Sequence, residues 1–171
     1  EAFAKADGTI VNQPFDFSNK NFMSIPDMQN ILKAFMFSQH TSQLVNFSLL
    51  YKDEYDFLKE MLSMTPRNSQ SPLYDPNIHH DGFNKYLMYG DTKDQIPNNV
   101  KIYNQTGKGY GYLTDCAYIV DTKNGVEFLL TAVIHVNDNQ TYNDKKYEYE
   151  TIGLPFLGNL GRVIYDYELT R

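Results

Sequence analysis

The chain has 171 residues, 42% of them hydrophobic and 15% aromatic, which is enough to bury a sizeable core in one domain and argues against disorder. Its 15 Lys and Arg against 21 Asp and Glu leave a net charge of −6, and the basic residues are dispersed; this argues against a nucleic-acid partner, because phosphate recognition needs clustered cations. A single cysteine, Cys116, excludes an internal disulfide and a cysteine-based zinc site, and no apolar run approaches the roughly 20 residues a bilayer span needs.

The first residues, Glu1-Ala2-Phe3-Ala4-Lys5, have neither a basic start nor an apolar run, so no signal peptide is expected in them. Residues 1–22 read as irregular, with Gly8, Pro14 and the stretch Ser18-Asn19-Lys20-Asn21. A helix follows Ser24, which can cap it. Asp27 completes a sequence close to a capping box, and Met28, Ile31, Leu32 and Phe35 fall at helical spacing. A second helix is predicted over 53–64, with Tyr55, Leu58, Met61 and Leu62 inward and Pro66 just beyond its end. Residues 66–97 are loop-rich, with one short helix near 81–88.

From Pro97 onward the period becomes that of strands. Strands are predicted over 100–105, 115–121 and 126–136. Asn124-Gly125 serves as a two-residue hairpin turn between the last two, since both residues tolerate positive φ. The third strand is apolar on both faces (Phe128, Leu130, Ala132 and Ile134 against Leu129 and Val133), the mark of a central strand covered by helices. A closing helix spans 155–169 and is expected to bury Phe156, Leu157, Leu160, Val163, Ile164 and Tyr167. Gly158 and Gly161 weaken it and suggest close packing on the sheet.

The fold class is therefore α+β: an antiparallel sheet of three strands packed with helices. Three strands are few to cover so apolar a third strand. Its edge is expected to pair with further strands, from an upstream part of the same protein or from a homodimer partner at 126–136.

Several local patterns have plain structural explanations. Asn104-Gln105-Thr106-Gly107 can be a polar strand end entering a turn made by Gly107, Gly109 and Gly111. Gly-Lys-Gly-Tyr-Gly lacks the spacing of a phosphate loop. His79-His80-Asp81 reads as a solvated loop or helix cap, because adjacent residues on a helix diverge by about 100° and rarely share an ion. His40 and His135 read as structural, and Tyr147-Glu148-Tyr149-Glu150 as the polar approach to a helix start. The glycosylation patterns at Asn46-Phe47-Ser48, Asn104-Gln105-Thr106 and Asn139-Gln140-Thr141 carry no weight in so Asn-rich a chain. No metal or cofactor is expected.

Taken in order, however, five features form a series over about residues 22–170. They are the helix after Ser24-Ile25-Pro26, the helix ending Leu58-Lys59-Glu60-Met61-Leu62, Gln105-Thr106-Gly107 on a strand, Thr114-Asp115-Cys116-Ala117-Tyr118-Ile119-Val120 as the next strand, and the closing helix. This series resembles the C-terminal portion of the serine β-lactamase and penicillin-binding protein superfamily, whose third-motif strand normally reads Lys-Thr-Gly. The resemblance implies that residues 1–171 are the C-terminal part of a larger β-lactamase-like domain. The Ser-x-x-Lys nucleophile would then lie upstream, for no Ser here is followed three positions later by Lys. It implies acyl transfer on a β-lactam, a peptidoglycan peptide or another small amide or ester, no cofactor, and an extracytoplasmic location. Gln105, Thr106 and Gly107 would contact the substrate, and the Lys108 N–H would complete the oxyanion hole. Gln105 in place of lysine keeps a hydrogen-bond donor but no charge, and Lys108 is the nearest cation that could replace it. This chain alone is expected to be inert. The alternative is a non-catalytic binding or scaffold domain that keeps the fold without the chemistry.

Overall fold

A computed structural model describes residues 1–37, 47 and 49–171. His40 and most of Asn46-Phe47-Ser48 lie outside the described residues. The chain begins with two short antiparallel strands, β1 (Ala2–Ala4) and β2 (Ile10–Val11), where the sequence suggests irregular chain. Strands this short carry no alternation to read. Helix α1 (Ile25–Met36) starts as its cap predicts: the Asp27 N–H donates to Ser24 Oγ at 3.1 Å, and the Ser24 hydroxyl donates back to the Asp27 carboxylate at 2.6 Å. Its inner face is Leu32, Phe35 and Met36.

Helix α2 (Lys52–Ser63) also forms where expected, with the Tyr51 N–H donating to the Glu54 carboxylate at 2.9 Å. Its rotation differs from the predicted one. Tyr55 and Leu62 pack inward, the Tyr55 ring lying 4.8 Å from that of Phe35 and its hydroxyl donating to Phe35 O. Leu58 and Met61, expected inside, are each 39% exposed. Lys59 takes part of the inner face by laying its ammonium 5.5 Å from the Tyr103 ring.

The predicted helix over 81–88 is two pieces. A 3₁₀ turn (Asp81–Asn84) is followed by α3 (Tyr86–Tyr89), in which Met88 has φ 73°. The break follows from packing. Gly82 abuts the far side of the turn so closely that a Cβ on it would sit 1.9 Å from Tyr89 O, and the buried Asp81 accepts the Ile96 N–H at 2.9 Å while pairing with Arg67 at 2.8 Å.

Strands β3 (Val100–Gly109), β4 (Tyr112–Asp121) and β5 (Val126–His135) form an antiparallel sheet in the order β3-β4-β5. The fold is thus α+β. Both hairpins differ from expectation. The first turn is only Tyr110-Gly111, both with positive φ (52° and 85°), because β3 runs on through Gly107 and Gly109. The second is a four-residue loop rather than a two-residue turn, since Asp121 faces Val126. The Asp121 carboxylate organises that loop by accepting from the Lys123 and Asn124 N–H groups, from the Asn99 and Asn124 side chains, and from the Tyr165 hydroxyl. Tyr165 above all holds this carboxyl well below the usual range.

The central strand is β4, not β5. Helix α4 (Leu154–Leu169), entered through a π-helical turn (Tyr149–Gly153), covers one face of the sheet, and α1 covers the other. Leu113, Ala117 and Ile119 of β4 join Leu157 of α4 in one core, while Cys116 and Tyr118 join Leu32, Phe35 and Met36 in the other. Helices reach over β5 as well: Phe128, Leu130, Ala132 and Ile134 pack on the α4 side and Leu129 on the α1 side. Its two-faced apolarity therefore reports helices above and below, although β5 is an edge strand among the described residues.

The inner face of α4 is built of Leu157, Gly158 and Gly161; Phe156, Val163 and Tyr167, expected inside, face outward. Small residues occupy the seam because α4 lies directly on the 86–91 segment. A Cβ on Gly161 would meet Met88 N at 2.4 Å, and Arg162 ties the two together by donating to Met88 O and, through both terminal nitrogens, to Asp91.

A final short strand, β6 (Thr141–Tyr142), pairs parallel with β1, giving a second sheet in the order β2-β1-β6. Between β2 and α1 an arm of chain is held on the β3–β4 turn by Phe15 and Phe17 against Tyr110 and Tyr142, with the Lys20 ammonium 5.5 Å from the Tyr110 ring. Among the described residues no helix is long and apolar enough to cross a membrane.

The seam predicts an unequal response to one added methyl. Gly161→Ala is expected to lower unfolding free energy by about 1–3 kcal/mol through overpacking. Gly109→Ala, with nothing within 4 Å of the new Cβ, should stay within about 0.5 kcal/mol; urea titration of the two variants measures both.

Candidate functional site

The second half of β3 lies between three features of the fold: α2, the 78–92 segment and the N-terminal arm. Among the described residues three cavities open there. One of ≈ 320 Å³ lies against α2 and is lined by Leu58, Met61, Leu62, Asn84, Lys85 and Asn104 together with the strand. A second of ≈ 400 Å³ lies against the 78–92 segment and the start of α4. The third, of ≈ 930 Å³, is a groove walled by the arm (Phe17 to Met28) on one side and by residues 105–110 on the other. Thr106 lines all three.

The residues singled out from sequence are therefore adjacent in space as well as in the chain. Gln105 borders the α2 cavity and the groove, and among the described residues its side-chain donor reaches the neighbouring Thr106 O alone, at 3.4 Å. Thr106 is half-buried and faces the Tyr86 hydroxyl, whose pKa is raised by burial. Gly107 and Lys108 border the groove. The Lys108 ammonium pairs with Glu150 at 3.2 Å on the surface and lies 4.6 Å from the Tyr149 ring.

Beneath the strand is an arrangement that the sequence reading overlooked. Lys85 is 1% exposed, and its ammonium donates to Leu62 O at 2.7 Å and to Asn104 Oδ1 at 2.6 Å. The Asn104 amide donates onward to Asn84 O at 2.9 Å and to Asp115 Oδ1 at 2.8 Å. Asp115, with no exposed surface, accepts the Leu87 N–H at 2.9 Å through its other oxygen. Desolvation lowers the Lys85 pKa to about 8 and raises that of Asp115 to about 6, against the opposing pull of the Leu87 N–H and of Asn104. The signal for this network is a charged residue within an otherwise apolar strand, Asp115 before Cys116-Ala117-Tyr118-Ile119-Val120.

The described histidines, His79, His80 and His135, take structural positions. The His79 ring packs against Phe83 at 4.7 Å and Tyr74 at 5.0 Å, His80 precedes the 3₁₀ turn, and His135 stacks on Tyr112 at 4.2 Å. Among the described residues no three His, Cys, Asp or Glu side chains are grouped to hold a metal ion. Cys116 is buried, which raises its thiol pKa, and its sulfur accepts the Thr131 hydroxyl at 3.2 Å.

Compared with known proteins, the chain matches no family model, no curated protein and no solved structure.

The buried network sets a pH dependence whose sign can be worked out. A carboxyl raised from 3.8 to about 6 contributes stability that is full below pH 3.8 and is lost as the pH rises through 6. An amine lowered from 10.5 to about 8 contributes stability that is full above pH 10.5 and is lost as the pH falls through 8. Between these limits both groups are ionised and depend on one another. Lys85→Met, which leaves the Asp115 charge uncompensated, is expected to cost about 3–5 kcal/mol near pH 7.5. It should recover part of that loss between pH 7 and pH 4, more steeply than the parent protein. Urea midpoints across this range measure the difference, and a flat profile would count against a raised Asp115 carboxyl.

Proposed function

We propose that this chain forms the substrate-binding side of a serine hydrolase resembling the β-lactamase and penicillin-binding protein superfamily, as the C-terminal part of that protein. The observation that carries the proposal is the position of Gln105–Lys108. These residues line a groove of ≈ 930 Å³ on a strand that has a sheet neighbour on one side only among the described residues. Such an edge can take an extended substrate as an added strand.

In this proposal the Thr106 hydroxyl donates to a substrate carboxylate, and Gln105 offers a neutral donor beside it. The Lys108 N–H donates to the carbonyl oxygen of the scissile amide or ester. An upstream serine gives up its proton to a base and attacks the carbonyl carbon. The C–N or C–O bond then breaks to release the protonated leaving group, and water hydrolyses the resulting acyl-enzyme. Substrates are β-lactams, peptidoglycan peptides or other small amides and esters, and the site of action is extracytoplasmic. The open edge of β5 receives the remaining strands of the sheet from the same upstream segment. Without that segment the chain is inert.

One observation favours a second reading, a binding scaffold that has lost the chemistry. The position of the family's lysine is held by the uncharged Gln105, and the nearby Lys108 ammonium pairs with Glu150. In the scaffold reading the β5 edge pairs with a second copy.

Intact-mass analysis after exposure to benzylpenicillin and a fluorophosphonate separates the readings, applied to this chain and to the encoded protein extended upstream. An adduct on the extended protein alone is expected. An adduct on this chain alone would overturn its inertness, and none on either would favour the scaffold. In the extended protein Thr106→Val should slow acylation by about 10–100-fold, the worth of one hydrogen bond to a charged group.

A further inference from the structure

The groove between the arm and β3 stands apart from the rest of the surface in polarity and in charge. Phe22, Met23 and Ile25 on its outer wall, and Tyr112 and Val133 on its floor, are large apolar side chains left exposed. Scattered singly, such residues need no explanation; gathered along one hollow, they mark a binding surface. The chain carries 21 Asp and Glu, yet among the described residues none lines the groove. The floor is open because of β3. Gly107 lies opposite Thr114, and Thr114 opposite Val133, so the three share one face of the sheet, and Gly109 shares it two residues on. A Cβ on Gly107 would reach only Thr114, at 3.7 Å, and one on Gly109 would meet nothing within 4 Å. The missing side chains leave a shelf along residues 105–110, about 17 Å long at the rise of a strand. One cation stands at the hairpin end of that shelf. The Lys20 ammonium lies 5.5 Å from the Tyr110 ring and 5.7 Å from that of Phe15, and it has no carboxylate partner among the described residues. The other lysine on the groove, Lys108, is paired with Glu150.

We propose that the groove binds a monomeric fatty-acid anion, its unbranched chain lying along Gly107 and Gly109 between the arm and the sheet, and its carboxylate meeting Lys20. An apolar hollow with a single accessible charge at one end calls for a ligand divided in the same way. A bare hydrocarbon leaves the ammonium unmet, and a cationic amphiphile is repelled by it. An anionic bilayer would face the net charge of −6 carried by the whole chain, whereas the carboxylate of one monomer faces Lys20. Met23 and Met28, both on the groove, are unbranched and adapt to a flexible chain. The volume of ≈ 930 Å³ lies within the range of small-ligand sites. The ligand would occupy the groove assigned above to acyl transfer but needs no nucleophile. Its binding is read on this chain alone, so either proposal can fail without the other.

Calorimetric titration of this chain with octanoate, decanoate and dodecanoate, each kept monomeric, is the test, with octanol as the neutral counterpart. Each two-carbon extension should tighten binding about tenfold, as burial of two methylenes requires. Octanol should bind about 3–5-fold more weakly than octanoate, the worth of a partly exposed ion pair. Lys20→Gln, an exposed change, should remove that difference and leave octanol binding as it was; a loss of both together would mean that Lys20 only holds the arm in place, and would overturn its role. Val133→Glu, which sets a carboxylate on the floor, should weaken dodecanoate at least about tenfold. The site is overturned by the absence of saturable heat, by affinity that does not change with chain length, by octanol binding as tightly as octanoate, by both variants binding as the parent does, or by binding to anionic phospholipid vesicles without binding to monomeric dodecanoate.

Discussion

Removing the Lys85 ammonium and the Asp115 carboxylate from water costs several kcal/mol for each ion, and the fold offsets this by placing Asn104 between them. An amide side chain suits this place because it accepts from the cation and donates to the anion at once. The network gathers four separate pieces of chain: the end of α2 through Leu62 O, the 3₁₀ turn through Asn84 O, β3 through Asn104, and β4 through Asp115. Asp115 also holds the first turn of α3 through the Leu87 N–H. A network of this kind fixes position more than it adds stability. It sets how close α2 and the 81–89 segment stand to β3, and so it sets the openings on either side of Thr106.

What could be read from the sequence and what could not divides along physical lines. Local signals were sound. Ser24 caps α1, the helix before Pro66 forms, and the three strands expected after Pro97 form. Where tertiary packing decides, the sequence pattern misled. Phe156, Val163 and Tyr167 sit at helical spacing but face outward, because Gly158 and Gly161 let the α4 backbone itself make the contact. The apolar faces of β5 describe the helices above and below it and say nothing of its edge. Asn124-Gly125 has the residues of a tight turn, yet the Asp121 side chain draws two more residues into the loop.

The candidate site was legible to the same degree. Gln105, Thr106, Gly107 and Lys108 were found as a motif, and they lie together on the groove. The engagement of Lys108 with Glu150 spans 42 residues, and that of Lys85 with Asn104 spans 19. Neither spacing carries a local pattern. Because Thr106 borders all three cavities, the strand acts as their shared wall.

The small sheet β2-β1-β6 has a consequence for the order in which the molecule assembles. Asn143 donates to Ala4 O across 139 residues of sequence, and β1 lies on β6 with the whole of the larger sheet between them in the chain. The β3–β4–β5 hairpins close over short loops and are entropically cheap, whereas the arm's anchorage requires ends that are far apart to meet. On a ribosome the groove's outer wall cannot set until Tyr142 has emerged. The groove therefore takes its shape only after the whole β3–β4–β5 sheet has been made, although one wall of it comes from residues 17–28.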